Sequence, residues 1–258
     1  MSRKASRTLI NQHHQLEKQR RVALQRGDEP LVSRLTLDIQ QLGGLAKYQQ
    51  ASLQGQSSDR GGDTSKLLLV WLPATAMRIS GQKLQMLEVG ALSVRNACSN
   101  SGLFDVTRID LNSQAVGIVQ QDFMQRPLPT SDRERFDVIS LSLVLNFVPD
   151  PAQRGEMLRR TTLFLRPPNP AVFPETFPSL FLVLPRSCTD NSRYFTYQRL
   201  ESIMASVGYR PIQTKLTQKL IYTLWTFDPL RALNEAEFSK EELNPGRNRN
   251  NFLITLRT

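Results

Sequence analysis

Cysteine and histidine are nearly missing from this chain, and both absences exclude chemistry. Two cysteines in 258 residues, Cys98 and Cys188, lie far apart with no partner at ligand spacing. That rules out a zinc-type Cys/His framework and a secreted disulfide scaffold, so no metal is expected and an intracellular setting is. The two histidines, His13 and His14, are adjacent near the N-terminus, where a surface or packing role is the simplest reading, so the main body of the chain lacks the commonest general base. Long hydrophobic runs are also lacking. The longest, Lys66 to Leu72 and Leu180 to Leu184, fall well short of a membrane span, and the N-terminus is basic and polar rather than signal-like. A soluble protein with no membrane association is expected. Acid is in short supply: 33 Lys and Arg face 23 Asp and Glu, for a net charge of +10 and a pI near 10.1. Such a balance favours a polyanionic partner, nucleic acid before membrane, because no strongly apolar helix face accompanies the charge.

What is present suits one sizeable domain with a smaller appendage, since 40% apolar residues can bury a real core. From Arg7 to Gly27, the positions Leu9, His13, Leu16 and Ala23 share one helical face, and Gly27 is a natural stop. A second helix is expected from Pro30 through Leu31, Leu35, Ile39 and Leu42 toward Tyr48 and Leu53, making a hairpin with the first. In the first helix Arg3, Lys4, Arg7, Lys18, Arg20, Arg21 and Arg26 face a single acid, Glu17. This basic arm reads equally as a solvated face or as a phosphate-contacting tether. A Gly/Ser/Gln/Asp-rich stretch, Gly55 to Ser65, then reads as a linker, dividing a helical region 1–62 from a main domain 63–258.

After a short helix through Trp71, stopped by Pro73, strand-like runs and helical segments alternate. Strands are expected at Leu84 to Val89, Asp105 to Ile109, Gly117 to Val119, Phe136 to Leu141, Ser179 to Leu184, Leu216 to Phe227 and Phe252 to Leu256. Helices are expected near Val94 to Cys98, Leu143 to Val148, Ala152 to Leu165 and Thr196 to Val207, the last closed by Gly208. Alternation of this kind implies an α/β, doubly wound, mostly parallel sheet with a terminal antiparallel strand. Between Asp110 and Asp122 there is room only for a tight connection, so the usual crossover helix should be missing there.

Three successive strand ends carry the chemistry. Leu84 to Val89 runs into Gly90, where a backbone turn without a side chain would let a cofactor approach closely. Asp110, about 20 residues on, ends the next strand where an acid binds ribose hydroxyls. Asp122, followed by Phe123, would accept from an adenine amine while the ring covers the base. Each has a bland alternative in a turn, a cap or packing, but the three in order point to S-adenosylmethionine (SAM). NAD is disfavoured because no G-x-G-x-x-G is present to cradle phosphates.

The fourth element, Phe136-Asp137-Val138-Ile139 leading to Val144-Leu145-Asn146-Phe147-Val148, resembles the fourth motif of class I SAM-dependent methyltransferases. Taken with Leu87-Glu88-Val89-Gly90-Ala91, Asp110-Leu111-Asn112, Gln121-Asp122-Phe123-Met124, Ser142 to Pro149, Arg154 to Leu158, Gly43 to Ser52 and Arg60-Gly61-Gly62, the chain is similar to the fungal 25S rRNA adenine-N1 methyltransferases. That resemblance implies a Rossmann-like class I fold, SAM as donor, rRNA or a pre-ribosomal particle as partner, and a nucleolar location. A monomer is expected. By resemblance Gly90, Asp110, Asp122, Phe123 and Ser142 contact SAM, and Arg60 reaches it from the linker side. Asn146-Phe147-Val148-Pro149 invites comparison with the Asn-Pro-Pro-aromatic signature of amino-methylating enzymes, although Asn146 lies about one helical turn later than that comparison requires. It is a catalytic candidate or a packing residue. Tyr194, Phe195 and Tyr197 are candidate walls for an extruded base, and Arg247 and Arg249 candidate phosphate contacts. Metazoan relatives of the family include a SAM sensor, so a non-catalytic SAM-binding regulator is the competing reading.

Overall fold

Glycine ends the first long helix as its backbone freedom allows. In the computed structural model, which describes residues 3–44, 62–113, 115–169, 171, 173, 175–232 and 236–256, α1 (Arg3–Gln25) stops at Gly27 with φ +68°. Helix α2 (Glu29–Gln41) follows at once. Its first turn is capped by the Asp28 side chain, which accepts from the Leu31 N–H at 3.1 Å, and Pro30 sits in the first turn, where it removes no helical hydrogen bond. The hairpin buries Leu9, His13, Ala23, Leu35 and Ile39. Helix α2 ends well before the expected Tyr48, because Gly43 and Gly44 take left-handed φ of +103° and +58° and break the repeat. Residues 45–61, with Arg60 and most of the expected linker, lie outside the described residues. Two compact units result, residues 1–63 and 64–258.

The larger unit begins with α3 (Ser65–Trp71) and α4 (Ala74–Ser80), separated by Pro73. The sheet strands are β1 (Leu84–Val89), β2 (Phe104–Asp110), β3 (Val119–Gln120), β4 (Val138–Ser142), β5 (Ser179–Pro185), β6 (Tyr209–Leu216) and β7 (Leu220–Phe227). Among them run α5 (Ala97–Asn100), α6 (Pro151–Phe164), α7 (Ser187–Asp190) and α8 (Tyr197–Ser206). Strand order is β3-β2-β1-β4-β5-β7-β6, all parallel except β7. The doubly wound α/β fold expected from the sequence is therefore present, and the order reverses between β1 and β4, where such sheets open a binding crevice. No helix lies in the described part of the β2–β3 connection, as the short spacing required.

Burial follows position in the sheet. The central β5 is buried along almost its whole length and β7 likewise, whereas the edge strands β3 and β6 are largely exposed. Alternate residues feed two cores. Leu87, Val89, Ile139, Leu141, Leu180 and Leu182 face α6 and α8, while Met86, Val138, Phe181 and Val183 face α3 and α5.

Three expectations are corrected. The segment Leu216 to Phe227 is not one strand: Thr217 to Lys219 turn the chain, and the preceding Tyr209–Leu216 forms an additional strand, exposed along most of its length. The antiparallel strand is β7, the last of the chain as expected, and it lies second from the edge between β5 and β6. Phe252 to Leu256 is not a strand either; it crosses α6 as an extended strap, bridging at Leu256 to Phe238. Leu143 to Val148 makes turns rather than a helix, because Leu143 sits at φ +59°, which no continuing right-handed helix can absorb.

Candidate functional site

Hydrogen bonds between successive strand ends tie the candidate cofactor edge together. Gly90, directly after β1, adopts φ +73°, and its N–H and that of Ala91 both donate to the Ile109 carbonyl, at 2.8 and 3.1 Å. Asp110 ends β2 and its carbonyl accepts from Gln121 N–H at 2.9 Å, which brings Asp122 alongside. Gly90, Asp110 and Asp122 thus occupy three adjacent carboxyl ends of one sheet, and Ser142 ends the fourth, β4, on the other side of β1. Both aspartates also serve the backbone: Asp110 accepts from Asn112 N–H and Asp122 from Met124 N–H, each at 2.8 Å. These are Asx turns that fix the carboxylates at the rim.

Phe123 follows Asp122 into the core. Its ring is 2% exposed and stands 5.4 Å from the Phe164 ring, while the Arg160 guanidinium donates to its carbonyl at 2.9 Å. The ring is thus committed to packing. Ser142 shares a hydrogen bond of 2.8 Å with Thr64, the first residue of the larger unit, so the chain enters that unit at the strand-end edge.

The acid two residues before Gly90 has a different task. Glu88 accepts from the Asn96 amide at 2.7 Å and lies 4.0 Å from Arg108, which itself bonds Ser99. It fixes the start of α5, whose cap is Asn96. Asp137 is likewise structural: at the opposite end of β4, it accepts from Gln85 N–H at 2.7 Å and pairs with Arg166 at 2.8 Å.

The loop after β4 closes over the glycine turn. An atom added at Cβ of Gly90 would stand 2.6 Å from Val144 Cγ2, so this loop, as much as any ligand, demands glycine. Leu143 holds a left-handed backbone, a conformation that costs an ordinary residue on the order of 1–2 kcal/mol and tends to persist at binding sites. Two residues beyond Val144, the Asn146 side-chain oxygen is buried with no hydrogen-bond partner among the described residues. A buried acceptor left unpaired costs about 1–3 kcal/mol, which a ligand donor would recover.

The expected walls separate. Phe195 is fully buried against Phe252, with ring centroids 5.2 Å apart, and is a core residue rather than a wall. Tyr197 is half-buried; it shares a hydrogen bond with Thr214 of β6 at 2.8 Å, and burial raises its phenol pKa. Tyr194 remains half-exposed, its ring covered by Lys240 at 4.6 Å and Arg193 at 5.8 Å. Arg249 donates to the Pro245 carbonyl at 3.2 Å and holds its own turn, whereas Arg247 is exposed. His13 is buried in the hairpin, and its pKa is lowered chiefly by that burial. A cavity of about 640 Å³ lined by Arg135, Arg159, Arg166 and Phe227 lies at the other edge of the sheet, away from these residues. Among the described residues no cluster of His, Cys, Asp and Glu could hold a metal, and no helix is long and apolar enough to cross a membrane.

Residues 33–254 match the family described as 25S rRNA (adenine(2142)-N(1))-methyltransferase, Bmt2. The chain belongs to this family. It is 40% identical over 253 residues to the 25S rRNA adenine-N(1) methyltransferase of Schizosaccharomyces pombe, covering 95% of this chain and 89% of that protein. It is also 40% identical over 220 residues to the Saccharomyces cerevisiae 25S rRNA (adenine(2142)-N(1))-methyltransferase, covering 84% of this chain and 61% of that one. Solved structures of similar shape include an rRNA methylase from Escherichia coli, with 12% identity, TM-score 0.43 and coverage of 86% and 91%. Another is the SAM-bound magnesium protoporphyrin IX methyltransferase of Synechocystis PCC 6803, with 12% identity, TM-score 0.43 and coverage of 60% and 76%. The fold itself is defined by the strand order β3-β2-β1-β4-β5-β7-β6.

Proposed function

We propose that this Bmt2-family chain transfers a methyl group from SAM to N1 of an adenine in 25S rRNA. The observation that carries the proposal is the set of adjacent carboxyl ends at the β1/β4 switch point, with glycine, aspartate and aspartate at three of them in order. The donor set fits SAM: a glycine turn for the amino-acid moiety, Asp110 for the ribose hydroxyls and Asp122 for the adenine amine. Ser142 completes the contacts in this reading, with Phe123 supporting Asp122 from the core. When bound, SAM supplies an electrophilic methyl on a sulfonium centre.

Little acid–base help is needed from the chain. Adenine N1 already carries an in-plane lone pair, so the protein has to align the base and keep water away. The buried Asn146 oxygen has an acceptor to offer the exocyclic amine beside N1, which would hold the base in line. Because N1 lies on the pairing edge, the adenine must be unpaired or extruded on arrival, with the half-exposed Tyr194 and Tyr197 as candidate walls. The basic α1 side of the 1–62 region serves as a tether for rRNA or a pre-ribosomal particle, with Arg247 as a further phosphate contact. A monomer acting in the nucleolus completes the proposal.

The test is purified protein with labelled SAM and unmodified 25S rRNA, followed by nucleoside analysis. Labelled 1-methyladenosine is expected. SAM bound tightly with no methyl transferred to RNA would overturn the proposal in favour of a regulator.

A further inference from the structure

One buried cation lies between the loop after β4 and the C-terminal strap. Arg154, in the first turn of α6, is 8% exposed. Its Nε donates to the Val148 carbonyl at 2.7 Å and its Nη1 to the Leu253 carbonyl at 2.6 Å, while the guanidinium lies 4.4 Å from the Phe252 ring centroid. Thus one planar fork joins residues 99 apart in sequence, 154 and 253, and ties both to the loop that carries Asn146.

The strap is fitted closely enough to act as a fixed wall. At Gly155 an added Cβ would come 1.9 Å from the Thr255 carbonyl oxygen, so the extended chain lies directly on α6. Thr255 N–H donates to the Pro151 carbonyl at 3.0 Å, and Ser192 donates to the Phe252 carbonyl at 2.5 Å. The other end of the loop is set by Val144 against Gly90 and by Leu143 N–H bonded to the Val183 carbonyl at 2.9 Å. Between these anchors lie Asn146 and Phe147.

We infer that Arg154 is a positioning residue for methyl transfer: by clamping Val148 to the C-terminal strap it holds the Asn146 loop at the distance from the cofactor edge that the acceptor base requires. This rests on the methyltransferase reading above. Arg154 touches neither cofactor nor base and acts through the loop. Loss of the clamp leaves Gly90, Asp110 and Asp122 in place, so its effect falls on the acceptor and not on the donor. Misplacement of reacting groups by about 1 Å is enough for roughly 100-fold in rate.

The experiment compares wild type, Arg154→Met and Arg154→Lys. Met matches the aliphatic stem but donates nothing; Lys keeps the charge but has no fork to reach both carbonyls. Three quantities are measured: SAM affinity by calorimetry, single-turnover methylation of unmodified 25S rRNA with both substrates saturating, and hydrogen exchange of the Phe147 amide, which donates to the Val144 carbonyl. For Arg154→Met we expect SAM affinity within about twofold of wild type, a rate lowered roughly 10- to 100-fold, and Phe147 exchange accelerated while β1 and β4 amides keep their protection, with Arg154→Lys intermediate. A folded Arg154→Met with wild-type rate and unchanged Phe147 protection overturns the inference. So does loss of SAM affinity in step with rate, which would make Arg154 simply structural. Should Arg154→Met not fold, the same outcomes are read from Arg154→Lys. If wild type binds SAM but methylates no RNA, the parent reading fails, and the exchange measurement still decides whether Arg154 holds the loop.

Discussion

Replacing Gly90 by alanine separates what the fold demands at this position from what a ligand demands. The backbone there sits at φ +73°, which costs a residue with a Cβ about 1–2 kcal/mol. The new methyl would also stand 2.6 Å from Val144 Cγ2, too close for any real carbon pair, and such overpacking costs about 1–3 kcal/mol. The expected loss for Gly90→Ala is therefore about 2–5 kcal/mol in chemical denaturation. Val144→Ala alone should cost about 1–2 kcal/mol for its lost packing. The double variant should be more stable than the sum of the singles by about 1–3 kcal/mol, because the collision has gone while the backbone cost remains. Calorimetric titration of SAM into the double variant then reports the ligand's own need for space: weakened binding in a chain whose steric conflict has been relieved places the cofactor against Gly90. Gly90→Arg should abolish binding outright, but it confounds the two causes, and the cycle does not. Additivity of the two substitutions within about 0.5 kcal/mol would refute the claim that Val144 is what closes on the glycine.

Asp110→Asn keeps an oxygen for the Asn112 N–H but removes the charge. Stability should stay within about 1 kcal/mol of wild type while SAM affinity falls roughly 10- to 100-fold, the range of a charge-assisted hydrogen bond; equal affinity by calorimetry would remove this aspartate from the ribose site. Tyr194→Ala and Phe195→Ala should divide cleanly. The first should weaken RNA binding by about 1–3 kcal/mol with little change in melting temperature, and the second, fully buried, should cost about 3–5 kcal/mol of stability. RNA affinity unchanged in Tyr194→Ala would discard the wall. Burial holds the His13 pKa below the ordinary 6.5, so the unfolded chain takes up a proton first as pH falls. The share of stability that comes from burying neutral His13 is thus present above pH 6.5 and lost as pH drops through the folded-state value. A His13 NMR titration midpoint above 6.5 would contradict that sign.

Much of the sheet was legible because its signals are local. Leu84–Val89 and Ser179–Pro185 read as strands from short apolar β-rich runs, and both lie in the buried middle of the sheet. Tyr209–Leu216 escaped because an edge strand needs only one partner and shows mostly polar residues to water. The 252–256 run misled for the opposite reason: its apolar residues are buried by α6 and the Ser192 turn, not by neighbouring strands, and nothing in a short apolar run distinguishes those partners. Site residues followed the same division. Gly90, Asp110 and Asp122 sit where strand-end spacing placed them, whereas the Glu88–Asn96 bond, the Phe123 ring in the core and the Arg154 clamp depend on tertiary partners that sequence order does not reveal.

The fourth strand end differs from the other three in how it is held, and the difference bears on chemistry. Gly90, Asp110 and Asp122 are fixed by short-range bonds: strand to adjacent strand, or a carboxylate to the N–H two residues on. The Leu143–Val148 loop instead spends a left-handed leucine and an unpaired buried amide oxygen, and is secured by a guanidinium reaching a strap about a hundred residues away. Local strain persists only where surrounding structure over-determines it. In a transfer that needs no general base, rate is governed by alignment of acceptor with methyl, so conformational constraint belongs on the acceptor side. The donor rim can tolerate ordinary turn geometry because a cofactor makes many contacts of its own. In the proposed reaction the Asn146 loop has to hold one base edge in line, and its long-range clamp is the means available.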